Sequence, residues 1–223
     1  TTGGTGCGGG AASPKTGNTR WRPRNARGGG TRCGARAARS IAGPSTPRAP
    51  PEARDSHGWS QCHLSFARQS ELAERFRLIL PDLRGHGQSD KPLDPVCYDN
   101  SRPWAEDMQA IIKTLGLEAP LLVGWSMGGW VVMDYLEHFG DAALAGVGLI
   151  GSSITTGAHL PPAAAKVRND PPAKAMGMYS EDLAENLAAV QAFVAVCFYQ
   201  QPDAATLAQA VGYNMLVPPK VRA

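Results

Sequence analysis

The first quarter of the chain lacks the side chains from which a core is made. Among residues 1–56 the only members of the group Val, Ile, Leu, Met, Phe, Trp and Tyr are Trp21 and Ile41. Two large apolar side chains cannot offset the entropy of ordering such a stretch. Runs such as Gly8-Gly9-Gly10 and Gly28-Gly29-Gly30, set among Ala, Arg, Pro, Thr and Ser, predict a disordered segment over 1–56. Arg-Gly-rich arms can hold nucleic acid through its phosphates, but Trp21 is the only aromatic there on which a base could stack. Negative charge is scarce in the same segment: ten Lys or Arg face two Asp or Glu, whereas residues 57–223 hold twelve and seventeen. The net charge of +3 is therefore an average over two unlike parts. The part able to fold is acidic, which removes the electrostatic case for a nucleic-acid partner.

Long hydrophobic runs are missing too. The longest uncharged stretch, residues 142–165, is broken by four glycines and by Pro161-Pro162, so no membrane span is expected. The N-terminus carries no apolar signal region. Five cysteines, Cys7, Cys33, Cys62, Cys97 and Cys197, are an odd number with no CxxC spacing, and free thiols in a cytoplasmic protein are expected. No His, Cys or carboxylate cluster has metal-ligand spacing, so no metal is expected.

From His57 onward strands and helices alternate. The apolar run Phe76 to Leu80, closed by Pro81, predicts a strand. Residues 102–115 place Trp104, Met108, Ile111, Ile112 and Leu115 on one helical face. Leu121-Leu122-Val123 predicts a second strand, Trp130 to Phe139 a helix and Ala145 to Ile150 a third strand. This rhythm is that of a parallel α/β sheet with crossover helices. After Ser153 it stops. Pro161-Pro162 and Pro171-Pro172 bracket a loop, Glu181 to Phe198 predicts a helix with Leu183, Leu187, Val190, Phe193, Val194 and Phe198 inward, and Ala204 to Leu216 a last helix. These helices read as a cap inserted over the sheet. The expected organisation is thus a disordered 1–56, a partial core over 57–152 and a helical cap over 153–223.

The chemistry lies at Gly124-Trp125-Ser126-Met127-Gly128, a G-x-S-x-G between an apolar strand and a helix. That setting suits a nucleophile elbow, a strained turn lifting the serine hydroxyl above the sheet edge. The bland alternative is a serine capping the helix N-terminus. Gly124 and Gly128 are expected where any Cβ would collide with the neighbouring strand and helix. Gly146-Val147-Gly148-Leu149-Ile150-Gly151 also matches a dinucleotide fingerprint, but its glycines fall inside a strand with no helix opening after them.

With the elbow, His57-Gly58-Trp59 and the stretch Asp82-Leu83-Arg84-Gly85-His86-Gly87-Gln88-Ser89-Asp90-Lys91-Pro92 occur in the order in which the α/β-hydrolase superfamily carries such loops. The chain resembles that superfamily from about residue 57 onward, and most of all its esterase and cofactor-free haloperoxidase branch. The resemblance implies Ser126 as nucleophile, backbone N–H groups of Trp59 and Met127 as oxyanion donors, and no cofactor. It implies acyl chemistry on an ester, thioester, lactone or amide, since dehalogenases and epoxide hydrolases of this fold use an aspartate at the elbow. Peroxide in place of water at the acyl-enzyme, or binding without turnover, are the alternatives. Trp125, Met176, Met178 and Phe193 are candidates for an apolar pocket taking a small-molecule substrate; oligomeric state is not legible. Arg84 and His86 are expected to build a structural turn, and His138 to lie on a surface.

Two expectations concern what is missing. In this superfamily an acid and then a histidine follow the nucleophile, yet only His138 and His159 come after Ser126, and neither follows a late strand. The chain is therefore expected to be cut at both ends and inactive as it stands. Pro50 to Ser56 lacks the apolar run that should precede His57, so the strand between those at Phe76 to Leu80 and Leu121 to Val123 is expected to be lost, and residues 1–56 to be an out-of-frame or misjoined translation.

Overall fold

The computed structural model describes residues 38–41, 52–152 and 176–222. The Gly runs, Trp21, His159 and the Pro161 to Pro172 loop lie outside the described residues. Five strands form one sheet in the order β1-β3-β2-β4-β5, where β1 is Ala38–Ile41, β2 Glu52–Ser56, β3 Arg77–Pro81, β4 Leu121–Trp125 and β5 Gly146–Ile150. Strands β2 to β5 run parallel, and β1 pairs antiparallel with β3 at the edge. The protein thus has the α/β architecture expected, with α1 (Ser101–Leu115) linking β3 to β4 and α2 (Met127–Phe139) linking β4 to β5.

Alternation along β3 sends its side chains into two cores. Ile79 joins Met108, Ile112, Leu122, Val131, Val132 and Tyr135 under α1 and α2. Leu78 and Leu80 join Ala53, Phe66 and Ala73 beneath a 3-10 segment, His63–Glu74, on the opposite face. Each such fully buried aliphatic side chain contributes about 1.5–3 kcal/mol. Helix α1 starts where the Asn100 side chain accepts the Arg102 N–H, and it stops at Gly116, whose φ of 60° a side chain would resist.

The lost strand is present. Residues Glu52–Ser56 form β2 at the centre of the sheet, Ala53 to Ser56 opposite Leu121 to Gly124 and Glu52 to Arg54 opposite Arg77 to Ile79. Composition misled because a strand paired on both sides satisfies its backbone whatever its side chains are. The polar groups are accommodated one at a time. The Arg54 guanidinium donates to the Met108 carbonyl at 2.8 Å, and the Ser56 hydroxyl rests on the Met108 sulfur at 3.8 Å. The cost remains visible: Arg54 Nε is buried without a partner, and burial pushes the Asp55 carboxyl up to about 6. Two strands, β1 and β2, therefore lie inside the segment expected to be disordered.

The segment expected to form the cap comprises, among the described residues, a 3-10 turn at Gly177–Tyr179, α3 (Leu183–Val196), α4 (Ala204–Met215) and the short α5 (Pro219–Arg222). Its core is Met178, Ala189, Val190, Val194 and Ala210. Leu183 and Leu187, expected to face inward, are exposed. Asn186 takes the inward place, because its amide donates to the carbonyls of Met178, Ser180 and Gly177, which would otherwise be stranded. Arg222 then pins the cap to the sheet side, donating to Ser60 Oγ, the Met178 carbonyl, Asn186 Oδ1 and the Asn214 carbonyl from a buried position.

Two smaller expectations resolve here. The glycines of the fingerprint-like stretch fall within and just after β5. The cysteines are not uniformly free: Cys62 and Cys197 are, but Cys97 is disulfide-bonded. Among the described residues no helix is long and apolar enough to cross a membrane.

Candidate active site

Strand β4 ends in the turn that begins α2, and Ser126 occupies that turn with φ 53° and ψ −121°. A non-glycine residue in this region is strained by about 1–3 kcal/mol and persists only where its surroundings hold it. The surroundings are explicit. A Cβ on Gly124 would strike Gly128 and Gly129 of α2, and one on Gly128 would strike the Ser56 and His57 carbonyls, so helix, elbow and β2 pack in backbone contact. The Ser126 N–H donates to the Ile150 carbonyl at 2.9 Å, tying the turn to β5 as well.

Ser126 does not cap its helix. Asn100, Asp182 and Asp203 each accept a backbone N–H at the start of α1, α3 and α4, whereas the Ser126 side chain makes no such bond. Ser126 is half-buried, and Gly58 lies beside it: a Cβ there would sit 3.3 Å from Ser126 Cβ and 3.7 Å from Oγ. With β2 in place, His57-Gly58-Trp59 runs directly past the serine. Met127 opens α2 on the other side, its side chain packed against the core beneath the helix.

Two histidines hold the Trp59 loop in position. His57 Nε2 accepts the Leu83 N–H at 2.9 Å, and His86 Nε2 accepts the Ser60 N–H at 3.1 Å. A backbone N–H can only donate, so each ring is neutral with its proton on Nδ1, directed at the Gly58 and Arg84 carbonyls respectively. Burial drives His57 down to about 4. It drives His86 to about 3, helped by His57 at a ring separation of 5.1 Å. Both nitrogens of both rings are engaged, so neither is available as a base. Arg84 serves the same loop, bridging Asp107 at 2.9 Å and the carbonyls of Cys97 and Pro103 from a buried site. His138 is half-buried, not a free surface group, and meets Ser101 Oγ at 2.8 Å between α2 and α1.

The pocket candidates divide. The Trp59 indole packs against the cluster that holds Met178, edge-on to Phe193 at 5.6 Å and tilted against Tyr179 at 6.0 Å. Met178 is fully buried, a packing position. Trp125 packs edge-on against Phe66 at 6.3 Å, and its ring also lies 3.6 Å from where a Cβ on Gly58 would stand, while Met176 is exposed. Sequence reasoning missed Arg222, whose role depends on a contact 162 residues away at Ser60.

One cluster with ligand chemistry does exist. Cys62, His63 and Asp82 each offer a donor atom, all within 4.8 Å of one another. No spacing in the sequence could reveal it, because Asp82 arrives from the end of β3. Burial would raise the Asp82 carboxyl, but hydrogen bonds from the His63 ring and the Gln88 and His63 N–H groups outweigh it and hold the group below its usual value.

Residues 56–208 match the family profile described as alpha/beta hydrolase fold. The chain is 32% identical to the crystal structure of esterase RhEst1 from Rhodococcus sp. ECU1013, with a TM-score of 0.68 over 83% of this chain and 67% of that one. It is 45% identical to AB hydrolase superfamily protein YisY from Bacillus subtilis over 37% of this chain and 30% of that protein. It is 30% identical to bifunctional esterase/perhydrolase DCH from Acinetobacter calcoaceticus over 56% and 42% of the two lengths. The chain thus spans less than half the length of these two curated relatives.

Proposed function

The chain belongs to the α/β-hydrolase fold family, and we propose that it carries the nucleophile half of a serine hydrolase acting on a small ester, thioester, lactone or amide. The observation that supports this most is the unused hydroxyl of Ser126, held at φ 53° by close-packed glycines and making no cap bond. A serine placed only to start a helix would accept an N–H of the first turn, as Asn100, Asp182 and Asp203 do.

In this reading Ser126 Oγ attacks the substrate carbonyl and the N–H groups of Trp59 and Met127 receive the developing oxyanion. The acyl-enzyme then yields to water. Proton transfer needs a free histidine held by a carboxylate, and each described histidine has another engagement: His57 and His86 with backbone groups, His138 with Ser101, and His63 with Asp82 at the end of β3. The 223-residue chain by itself is accordingly expected to turn over p-nitrophenyl esters at background rate. Robust hydrolysis that disappears in Ser126→Ala would refute that part. The nucleophile assignment is tested by fluorophosphonate labelling of the chain expressed with its flanking coding sequence. Labelling abolished by Ser126→Ala supports it; a folded protein that takes no label is a binding protein instead.

A second reading, peroxide replacing water at the same acyl-enzyme, is favoured by similarity to the esterase/perhydrolase from Acinetobacter. Peracid formation from acetate and hydrogen peroxide separates the two.

A further inference from the structure

We propose that Cys62, His63 and Asp82 form a binding site for a divalent transition-metal ion of zinc type, one that staples the Trp59 loop to the loop after β3. The three donor atoms lie within 4.8 Å of one another. Ligand atoms around a tetrahedral zinc ion stand about 3.3–3.8 Å apart, so closing the set needs only a small side-chain adjustment. The donors are one sulfur, one imidazole nitrogen and one carboxylate oxygen, a combination that suits zinc or cobalt and disfavours the oxygen-seeking magnesium and calcium ions.

The surroundings are built as a ligand shell requires. Asp82 is fixed by the His63 N–H at 2.8 Å on Oδ1 and by the Gln88 N–H at 2.8 Å on Oδ2. His63 Nδ1 already points at Asp82 Oδ1, 2.9 Å away. An ion seated between them takes the place of that hydrogen bond, the imidazole staying neutral with its proton on Nε2. Burial pushes the Cys62 thiol up to about 12 despite the Leu64 N–H facing its sulfur, so it is the bound dication that displaces the proton to solvent and leaves a thiolate ligand. Thiolate and carboxylate together balance the charge of the dication. His63 keeps 12% of its side-chain surface exposed, which leaves an approach for the ion and for a water as fourth ligand. None of this depends on the role of Ser126.

The test is cobalt titration of the chain after treatment with EDTA. Binding of one equivalent of Co2+ with a thiolate-to-cobalt charge-transfer band, bleached by Zn2+ and untouched by Mg2+, is expected. Cys62→Ser should abolish the band and weaken binding about 100-fold, and His63→Gln should weaken it at least about tenfold. Cys197→Ser, which alters the exposed free thiol, should change neither. The proposal fails if the wild-type chain shows no saturable cobalt binding, if the band survives Cys62→Ser, or if it is lost in Cys197→Ser. Should Cys62→Ser not fold, as judged by circular dichroism, the wild-type titration and His63→Gln still decide.

Discussion

Strands β2 and β5 invert what their compositions promise. Strand β2 is Glu-Ala-Arg-Asp-Ser and lies at the centre of the sheet, with Arg54 and Ser56 at 1% and 0% exposure. Strand β5 is Gly-Val-Gly-Leu-Ile and stands at the edge of the sheet among the described residues, with Ile150 at 56%. The polar strand is buried and the apolar one exposed. Neighbours decide burial: β2 is paired on both sides and covered on both faces, whereas β5 is paired only to β4 among the described residues. The Ser126 turn draws on both strands, since Gly128 packs on the Ser56 carbonyl and the Ser126 N–H donates to the Ile150 carbonyl. A central strand poor in apolar groups therefore still builds the elbow, because what the elbow needs from it is backbone.

The largest effect should come from attacking that backbone contact. Gly128→Ala drives a methyl into the Ser56 and His57 carbonyls and should cost more than about 3 kcal/mol by urea denaturation. Gly148→Ala in β5 meets only Val123 side-chain atoms at 3.4 Å and should be within about 0.5 kcal/mol of wild type. Equal losses at the two sites would erase the contrast between the strands.

Replacing the charge in β2 comes next. Asp55→Val should stabilise by about 1–3 kcal/mol at neutral pH. The sign follows from the raised carboxyl. With a folded value of about 6 against 3.8, the folded state holds the proton more tightly, so the native Asp55 costs most above pH 6 and nothing below about 4. The gain should therefore shrink as pH falls through that window. His57 and His86 act oppositely: their depressed values favour folding above about pH 6.5, and that stability drains away as pH falls toward 4 for His57 and 3 for His86. Removing Asp55 should expose this acid-side loss in pH-dependent melts.

At the elbow itself, Ser126→Gly should be neutral to about 1 kcal/mol stabilising, because strain is relieved and no cap is lost. Asn100→Ala at α1 should instead cost about 1 kcal/mol, since there the side chain does cap. The smallest effect is expected at the edge. Ile150→Thr should shift stability by no more than about 0.5 kcal/mol but lower self-association in sedimentation velocity, because exposed apolar edge strands invite pairing.

Legibility followed the same division. Leu121 to Val123 and Phe76 to Leu80 were readable because their apolar runs are long enough to demand burial on their own. The tight turn at Ser126 was readable because its glycines record backbone collisions directly in the residue type. The inward face of α3 was misread for want of the carbonyls that Asn186 satisfies. The Cys62, His63 and Asp82 cluster was invisible because β3 separates its members in sequence while closing them in space.

The residues alone determined the alternation of strands and helices, the elbow and the family, since each rests on local apolar periodicity or a short motif with its own steric logic. Only the tertiary structure decided that Glu52–Ser56 is the central strand, that both loop histidines are neutral pins and that Arg222 locks the cap to Ser60. Those outcomes depend on backbone partners and desolvation, which arise when distant segments meet and leave no trace in the order of side chains along the chain.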